Sequence, residues 1–298
     1  MPTGDAPCRF VCSRRKECYK YKMNFFLSSI ASTIAAILVT AIPIHRAEAG
    51  TSPFANPPPS YLLQVNGETY REKNPNSRRP AASLTKIMTA LIILESCDVD
   101  EVVTVSRSAS RETGSRIGLR HGDRIRVRDL LAATLISSAN DACRALADHE
   151  GGSQKAFVVR MNARARSLHL RDTRFTNACG HDHVGLYSSA HDMAMLAGKA
   201  LRIPLFAELV ARRSMRIATV KGNRSFQLTN KNRMIGRYDG AIGVKTGTTP
   251  NAGQCLVAFA ERNDRKVLLV IMHARHRWRT APAMLDAAFA AESTAIIE

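Results

Sequence analysis

The chain has 298 residues, 45% hydrophobic and 23% charged, which suits one or two globular domains with a real core. No self-similar period shows, which sets solenoids and propellers aside. The formal net charge of +18 makes nucleic acid the first partner to consider, and the N-terminal segment then argues against it.

Arg9, Arg14, Arg15, Lys16, Lys20 and Lys22 precede an uncharged run at 24–44, "NFFLSSIASTIAAILVTAIPI", and an Ala47-Glu48-Ala49 site follows. A basic flank, an apolar stretch and a small-residue site read as a secretory signal peptide. The run is also long enough for an uncleaved membrane anchor. Met23 is an alternative start to Met1, although translation from it would lose the basic flank. Both readings export everything after residue 50, to the periplasm or the outer face of the cytoplasmic membrane. The exported part holds 36 basic and 22 acidic residues, a net +14. In that compartment anionic envelope polymers and membrane surfaces are the natural partners. The bland alternative is that the charge only keeps the protein soluble.

Cys97, Cys143, Cys179 and Cys255 lie in the exported part, without a CxxC pair. They can form two disulfides in three ways, or stay as buried free thiols.

Residues 50–60 are Pro-rich and read as a linker. "YLLQVNGETYREKN" then carries Asn66-Gly67 between two extended runs, a hairpin signal. Leu84, Ile87, Met88, Leu91, Ile92 and Leu94 recur at helical spacing, with Pro80 just before, and predict a helix buried on most sides. "EVVTVS" and "GLRHGDRIRVRD" predict short strands and turns. Residues 129–149 are helical at both ends, broken by the small polar patch "ISSAND". Further helices are expected at 153–168 and 189–202, around the loop "NACGHDHVGLYSS". The last third alternates as strands from "SMRIATV" to "RKVLLVIMHA", with Asn263-Asp264 as a turn, and a helix at 279–291 closes the chain. A strand pair, then helices, then strands and a helix is an α+β plan: an antiparallel sheet flanked by helices, with an inserted helical lobe. The first hairpin must join the late strands in one sheet.

Three short motifs occur in order: Ser83-x-x-Lys86, Ser138-x-Asn140 and Lys245-Thr246-Gly247. Singly they are weak, and Ser13-x-x-Lys16 is a second, idle copy of the first. Lys-Thr-Gly, the rarest, arises by chance in only about one chain in twenty. Together they make chemical sense. A serine hydroxyl needs a base, and a lysine three residues on shares its helix face. A neighbouring cation such as Lys245 would favour a neutral amine there. Ser138 can both donate and accept a proton. Asn140 can hold a peptide amide or fix Lys86. Lys245 and Thr246 suit a carboxylate, and Gly247 allows close backbone approach. The Ser83 N–H, at a helix start, is an oxyanion donor.

With these residues in place the chain resembles the penicillin-recognising serine transferases. More narrowly it resembles the low-molecular-weight D-alanyl-D-alanine carboxypeptidases and their endopeptidase relatives. "RRPAASLTKIMTALI", "GLRHGDRIRVRDLLAATLISSANDACRALADH", "FVVRMNARARSLHLRDTRFTNACG" and "GVKTGTTPNAGQCLVAFA" look like that family's blocks, in its order, over about residues 60–290. The resemblance implies a serine β-lactamase/DD-peptidase-like fold, with a catalytic domain at 61–292 and a tail at 293–298. It implies peptidoglycan stem peptides as substrates, β-lactams as inhibitors, and neither metal nor cofactor. By the same resemblance Ser83 attacks the carbonyl between two D-alanines or in a D-Ala–diamino-acid cross-bridge. Lys86 takes the proton, Ser138 passes it to the leaving amine, and the Thr248 N–H is the second oxyanion donor. The short C-terminus resembles single-domain members, among which cross-bridge endopeptidases are found. "NACGHDH" stands where Asn-Pro-Thr-Gly is more usual, with Cys179 in place of Thr.

A serine β-lactamase shares the three motifs but needs a glutamate to activate the deacylating water. Between Ser138 and Lys245 only Glu150 and Glu208 occur, read as a turn residue and a residue of an apolar helix. A non-catalytic binding module would keep the fold and lose a catalytic side chain. His181, Asp182, His183 and His191 raise a metal site against an exposed polar loop, and the loop reading is preferred for want of helical ligand spacing. The Arg-rich helix "VRMNARARSLHLR" reads as a solvated face, with an anionic glycan or lipid patch as the alternative.

Overall fold

The computed structural model describes residues 52–291, so the readings of 1–49 as leader or anchor and of 293–298 as tail lie outside it. Among these residues no helix is long and apolar enough to cross a membrane. The chain opens with the hairpin β1 (Ser60–Val65) and β2 (Glu68–Lys73), turning at Asn66-Gly67 as expected. A short 3-10 helix, Ala82–Thr85, runs into α1 (Lys86–Ser96). The lobe continues through β3 (Val102–Thr104), α2 (Arg107–Ser110), β4 (Arg124–Arg126), α3 (Val127–Ile136), α4 (Asn140–Gly151), α5 (Gln154–Ser167), α6 (Ala190–Leu201) and α7 (Pro204–Ala211). It ends with the ribbon β5 (Ser214–Ala218) and β6 (Ser225–Thr229). Then follow β7 (Ala241–Thr249), β8 (Gly253–Arg262), β9 (Arg265–Ala274) and α8 (Arg277–Ala290).

The main sheet is antiparallel in the order β2-β1-β9-β8-β7, so the first hairpin pairs with the last strands and the helices are inserted between. Strand pairs β3-β4 and β5-β6 form separate ribbons rather than extending this sheet. Period-two alternation divides the core. Tyr61, Leu63, Leu256, Val267, Leu269 and Ile271 face one way and pack with Met284 and Leu285 of α8. Leu62, Val257, Leu268, Val270 and Met272 face the other way, into the helical lobe. Helix α1 is the centre of that lobe, with every residue from Lys86 to Ile93 buried, as its all-round apolar sequence requires. Edge strand β7 lies against the 3-10 turn before α1. A Cβ at Gly247 would sit 3.1 Å from Ser83 N and 3.0 Å from Ala82 Cβ. Gly247 therefore lets β7 approach the chain's own Ser83 segment, a closer duty than the ligand approach read from sequence.

Candidate active site

The three sequence motifs meet where α1, the α3–α4 break and β7 converge. Ser83 lies in the 3-10 turn, where residues i and i+3 nearly eclipse. That geometry brings Lys86 Nζ to 3.0 Å from Ser83 Oγ. Lys86 is fully buried and its Nζ also reaches Asn140 Oδ1 at 2.7 Å and the Cys179 carbonyl at 2.6 Å. Lys86 Nζ thus donates to the serine hydroxyl and to two carbonyl oxygens, which fix its position beside Ser83 Oγ.

The "ISSAND" break places the second motif. Helix α3 ends at Ile136 and α4 begins at Asn140, with Ser138 held at φ 57° between them. Ala82, just before Ser83, has φ 46°. Left-handed backbone costs a residue with a Cβ about 1–2 kcal/mol. Both residues thus hold their neighbours in costly geometry, which clusters at functional sites. Asn140 is oriented from two sides: its Nδ2 donates to Thr113 O at 2.6 Å and its N–H to Ser115 O at 2.6 Å. Of the two duties considered for Asn140, the geometry here is that of fixing Lys86.

On β7, Lys245 Nζ donates to Ser138 Oγ at 2.9 Å and to Thr246 O at 3.0 Å. Burial pushes the Lys245 amine well below the ordinary lysine range, and the positive charges of Lys86, Arg277 and Lys231 push the same way. Ser138, Asn140, Lys245 and Thr246 are all buried, whereas Ser83 is half-buried at the mouth of the cluster. The nucleophile candidate is therefore the part that an incoming molecule meets.

Several contributors were not legible in sequence. Arg277, the first residue of α8, sends Nη1 to Gly247 O at 2.6 Å, Thr248 Oγ1 at 2.8 Å and Cys255 O at 3.0 Å. Burial lowers its affinity for its proton somewhat. Asp141, fully buried, accepts from the N–H groups of Gly118 and Leu119 at 2.9 Å each and so pins the loop carrying Ser115. Asn177 Oδ1 accepts from Cys179, Gly180 and His181 N–H, which fixes the carbonyl facing Lys86. Burial pushes the Cys179 thiol well up, so it stays a neutral thiol beside that carbonyl. Cys143, Cys179 and Cys255 are buried free thiols and Cys97 is a half-buried one, so the disulfide alternative does not describe this structure.

The histidine-rich loop is dispersed among other contacts. His181 Nε2 lies 2.9 Å from Glu112, Asp182 accepts from Thr249 Oγ1 and Asn251 N–H, and His191 faces Asp192. Glu150, expected in a turn, lies in the last turn of α4, because the helix runs on to the left-handed cap at Gly152. Its carboxylate pairs with Arg160, and Glu208 pairs with Arg212 at 2.6 Å. Both glutamates are thus occupied by arginines rather than by the Ser83 cluster.

The family described as D-alanyl-D-alanine carboxypeptidase, Peptidase S11, matches residues 64–276. The chain is 35% identical over 254 residues to the D-alanyl-D-alanine carboxypeptidase DacF of Bacillus subtilis, covering 82% of this chain and 65% of that protein. It is 33% identical over 214 residues to a D-alanyl-D-alanine endopeptidase of Pseudomonas aeruginosa, covering 71% of this chain and 69% of that one. The fold superposes on the Streptomyces K15 DD-transpeptidase with a TM-score of 0.73 at 29% identity, covering 78% of this chain and 97% of the other. Against the DacF and DacD carboxypeptidases of Bacillus subtilis and Escherichia coli, the chain spans 65% and 61% of their lengths.

Proposed function

Because the chain belongs to the D-alanyl-D-alanine carboxypeptidase family, Peptidase S11, we propose that it is a serine DD-peptidase acting on peptidoglycan stem peptides. The observation that carries this reading is the Lys86 amine, aimed at Ser83 Oγ by two carbonyl oxygens. Lys86 removes the Ser83 proton as Oγ attacks the D-Ala carbonyl. The oxyanion forms toward the Ser83 and Thr248 N–H groups, and Gly247, lacking a Cβ, leaves that approach open. Ser138 delivers a proton to the leaving amine, and Lys245, bonded to Ser138 Oγ, favours release of that proton. The C–N bond breaks, leaving an acyl ester on Ser83. Water, deprotonated along the same route, cleaves the ester and regenerates the hydroxyl. Lys245 and Thr246 recognise the substrate carboxylate, and Arg277 braces the Gly247 carbonyl and the Thr248 hydroxyl.

The substrate lies outside the cytoplasm, so the protein is exported. Its N-terminus serves as a leader or as a membrane tether. A β-lactam presents a strained amide to the same serine, and its acyl-enzyme turns over slowly.

Intact mass after brief exposure to a penicillin tests this reading. The expected result is an adduct of one drug mass, absent from Ser83→Ala. An intact drug with no adduct would leave a binding module, and a hydrolysed drug with no adduct would make the protein a β-lactamase.

A further inference from the structure

Beside the catalytic cluster lies a cavity of about 450 Å³ between the Ser115–Ile117 loop and strand β6. Its position follows from backbone contacts. Ser137, adjacent to Ser138, lines it, and Ser137 Oγ accepts from the Thr229 N–H of β6 at 3.2 Å. Ser115 lines it too, and its carbonyl receives the Asn140 N–H. Lys231 lines it as well, tied by its N–H to Ile136 O at 3.0 Å. The cavity thus opens from the Ser138 side of the nucleophile.

That side has a chemical meaning. A group that hands a proton to the leaving amine must come within hydrogen-bond reach of it. The leaving amine therefore sits by Ser138, and whatever is attached to it extends past Ser137. Besides the carboxylate assigned to Lys245 and Thr246, a terminal D-alanine has only a methyl group to place there. The volume instead falls in the range of cavities that hold drug-sized ligands, about 300–1,000 Å³.

The lining states what the larger group carries. Arg116 and Lys231 both line the cavity and are exposed, and no acidic side chain lines it. Nearby arginines are already neutralised: Arg224 pairs with Asp123, and Arg144 with Asp148 and Glu112. Arg116 and Lys231 have no such carboxylate among the described residues. Ile117 and Phe226 add apolar surface to the lining. An aliphatic chain bearing carboxylates matches both the walls and the charges.

We propose that this cavity receives the leaving half of a cross-linked stem peptide, so that the bond cut is the D-Ala–diamino-acid cross-bridge. The inference rests on the DD-peptidase reading and deepens it. The D-Ala carbonyl carbon exchanges its bond to the diamino-acid nitrogen for one to Ser83 Oγ. The nitrogen takes the serine proton through Ser138 and departs as a free amine. Water then converts the ester to a carboxylate and restores Ser83. Arg116 and Lys231 hold the carboxylates of the departing strand while this happens.

The test compares a cross-linked muropeptide dimer with a monomeric pentapeptide ending in D-Ala-D-Ala, with products read by mass. Wild type is expected to cut the dimer with the higher kcat/KM. The double variant Arg116→Gln/Lys231→Gln is expected to lose about tenfold on the dimer, as for one lost charge-assisted contact, and less on the pentapeptide. Arg116→Lys/Lys231→Arg is expected to restore most of the difference. Penicillin acylation, measured on every variant, reports that the fold and Ser83 are intact. An acylated wild type that leaves the dimer uncut would overturn the cavity assignment alone. So would a parallel fall on both substrates. No acylation of wild type would overturn the DD-peptidase reading itself and the inference with it.

Discussion

Gly180→Ala tests whether the loop behind the lysine is held by shape. Gly180 sits at φ +86°, where an alanine costs about 1–2 kcal/mol. An added Cβ would also lie 1.9 Å from Ala82 O and 2.4 Å from Ala82 C. Both atoms are backbone, in the turn that carries Ser83, so neither can rotate away. Overpacking of this kind costs about 1–3 kcal/mol. Gly152→Ala supplies the reference, because Gly152 has φ +68° and nothing within 4 Å of the new Cβ. The backbone cost is common to both, so their difference isolates the clash. Gly180→Ala is expected to be less stable than Gly152→Ala by about 1–3 kcal/mol in urea unfolding. In thermal melts the gap is about 2–4 °C per kcal/mol for a domain of this size. Moving the loop also moves the Cys179 carbonyl off Lys86, so penicillin acylation is expected to fall in Gly180→Ala and to persist in Gly152→Ala. Equal stability of the two variants, with acylation intact in both, would refute the argument.

Other perturbations have equally definite expectations. Lys245→Met is expected to abolish turnover yet raise stability by about 1–4 kcal/mol, since it removes a buried charge; a lower melting temperature would contradict this. The unfolded chain holds the Lys245 proton up to the ordinary value of 10.5 and the folded chain releases it earlier, so wild-type stability rises with pH across that interval. Melts taken across it should show a flatter pH dependence in the variant. Asn140→Ala removes an acceptor from Lys86 and a donor from Thr113 O, and is expected to slow acylation about 10- to 100-fold; an unchanged rate would show that Lys86 needs no such orienting group. Burial alone would raise the Glu112 carboxyl, but His181, Thr113 and Arg144 more than offset it and hold it below the ordinary 4.5. Glu112 therefore stabilises the fold above its unfolded value and stops doing so as pH falls through its folded one. The stability gap between wild type and Glu112→Gln should close in acid, and a gap that widens in acid would reverse the assignment.

Legibility in the sequence followed the range of the signal. The Asn66-Gly67 hairpin, the buried helix α1 and the break at "ISSAND" rest on neighbours within a few residues, and their places were readable. The joining of β1 to β9 was also legible, because a lone two-stranded hairpin needs a sheet to bury its face. The separate β5-β6 ribbon was not, since alternation predicts a strand without naming its partner. Ser83, Lys86, Ser138, Asn140 and Lys245 were named from short motifs, and folding joins their side chains in two groups, Ser83–Lys86–Asn140 and Ser138–Lys245. Arg277, Thr113 and the Cys179 carbonyl were invisible for a physical reason. Two act across more than twenty residues through the backbone, and Arg277 is one arginine among many in a basic chain. Glu150 was misplaced because Gly151-Gly152 signals a turn, while the helix continues to its left-handed cap.

The arrangement explains why so basic a site can remain folded with little acid near it. Lys86 and Lys245 are buried within one cluster, and Arg277 adds a guanidinium against the Gly247–Thr248 segment of β7. Their donors are used on neutral oxygens: Asn140 Oδ1, Ser138 Oγ and the carbonyls of Cys179, Thr246 and Gly247. A carboxylate partner would have satisfied the same donors and stabilised the fold more. It would also have cancelled the positive field of the cluster. Neutral acceptors orient the lysines without neutralising them. The unbalanced charge, together with the left-handed Ala82 and Ser138, is a standing cost to stability. A bound carboxylate would relieve part of that cost, and Ser83, the half-buried member of the cluster, is the part within its reach.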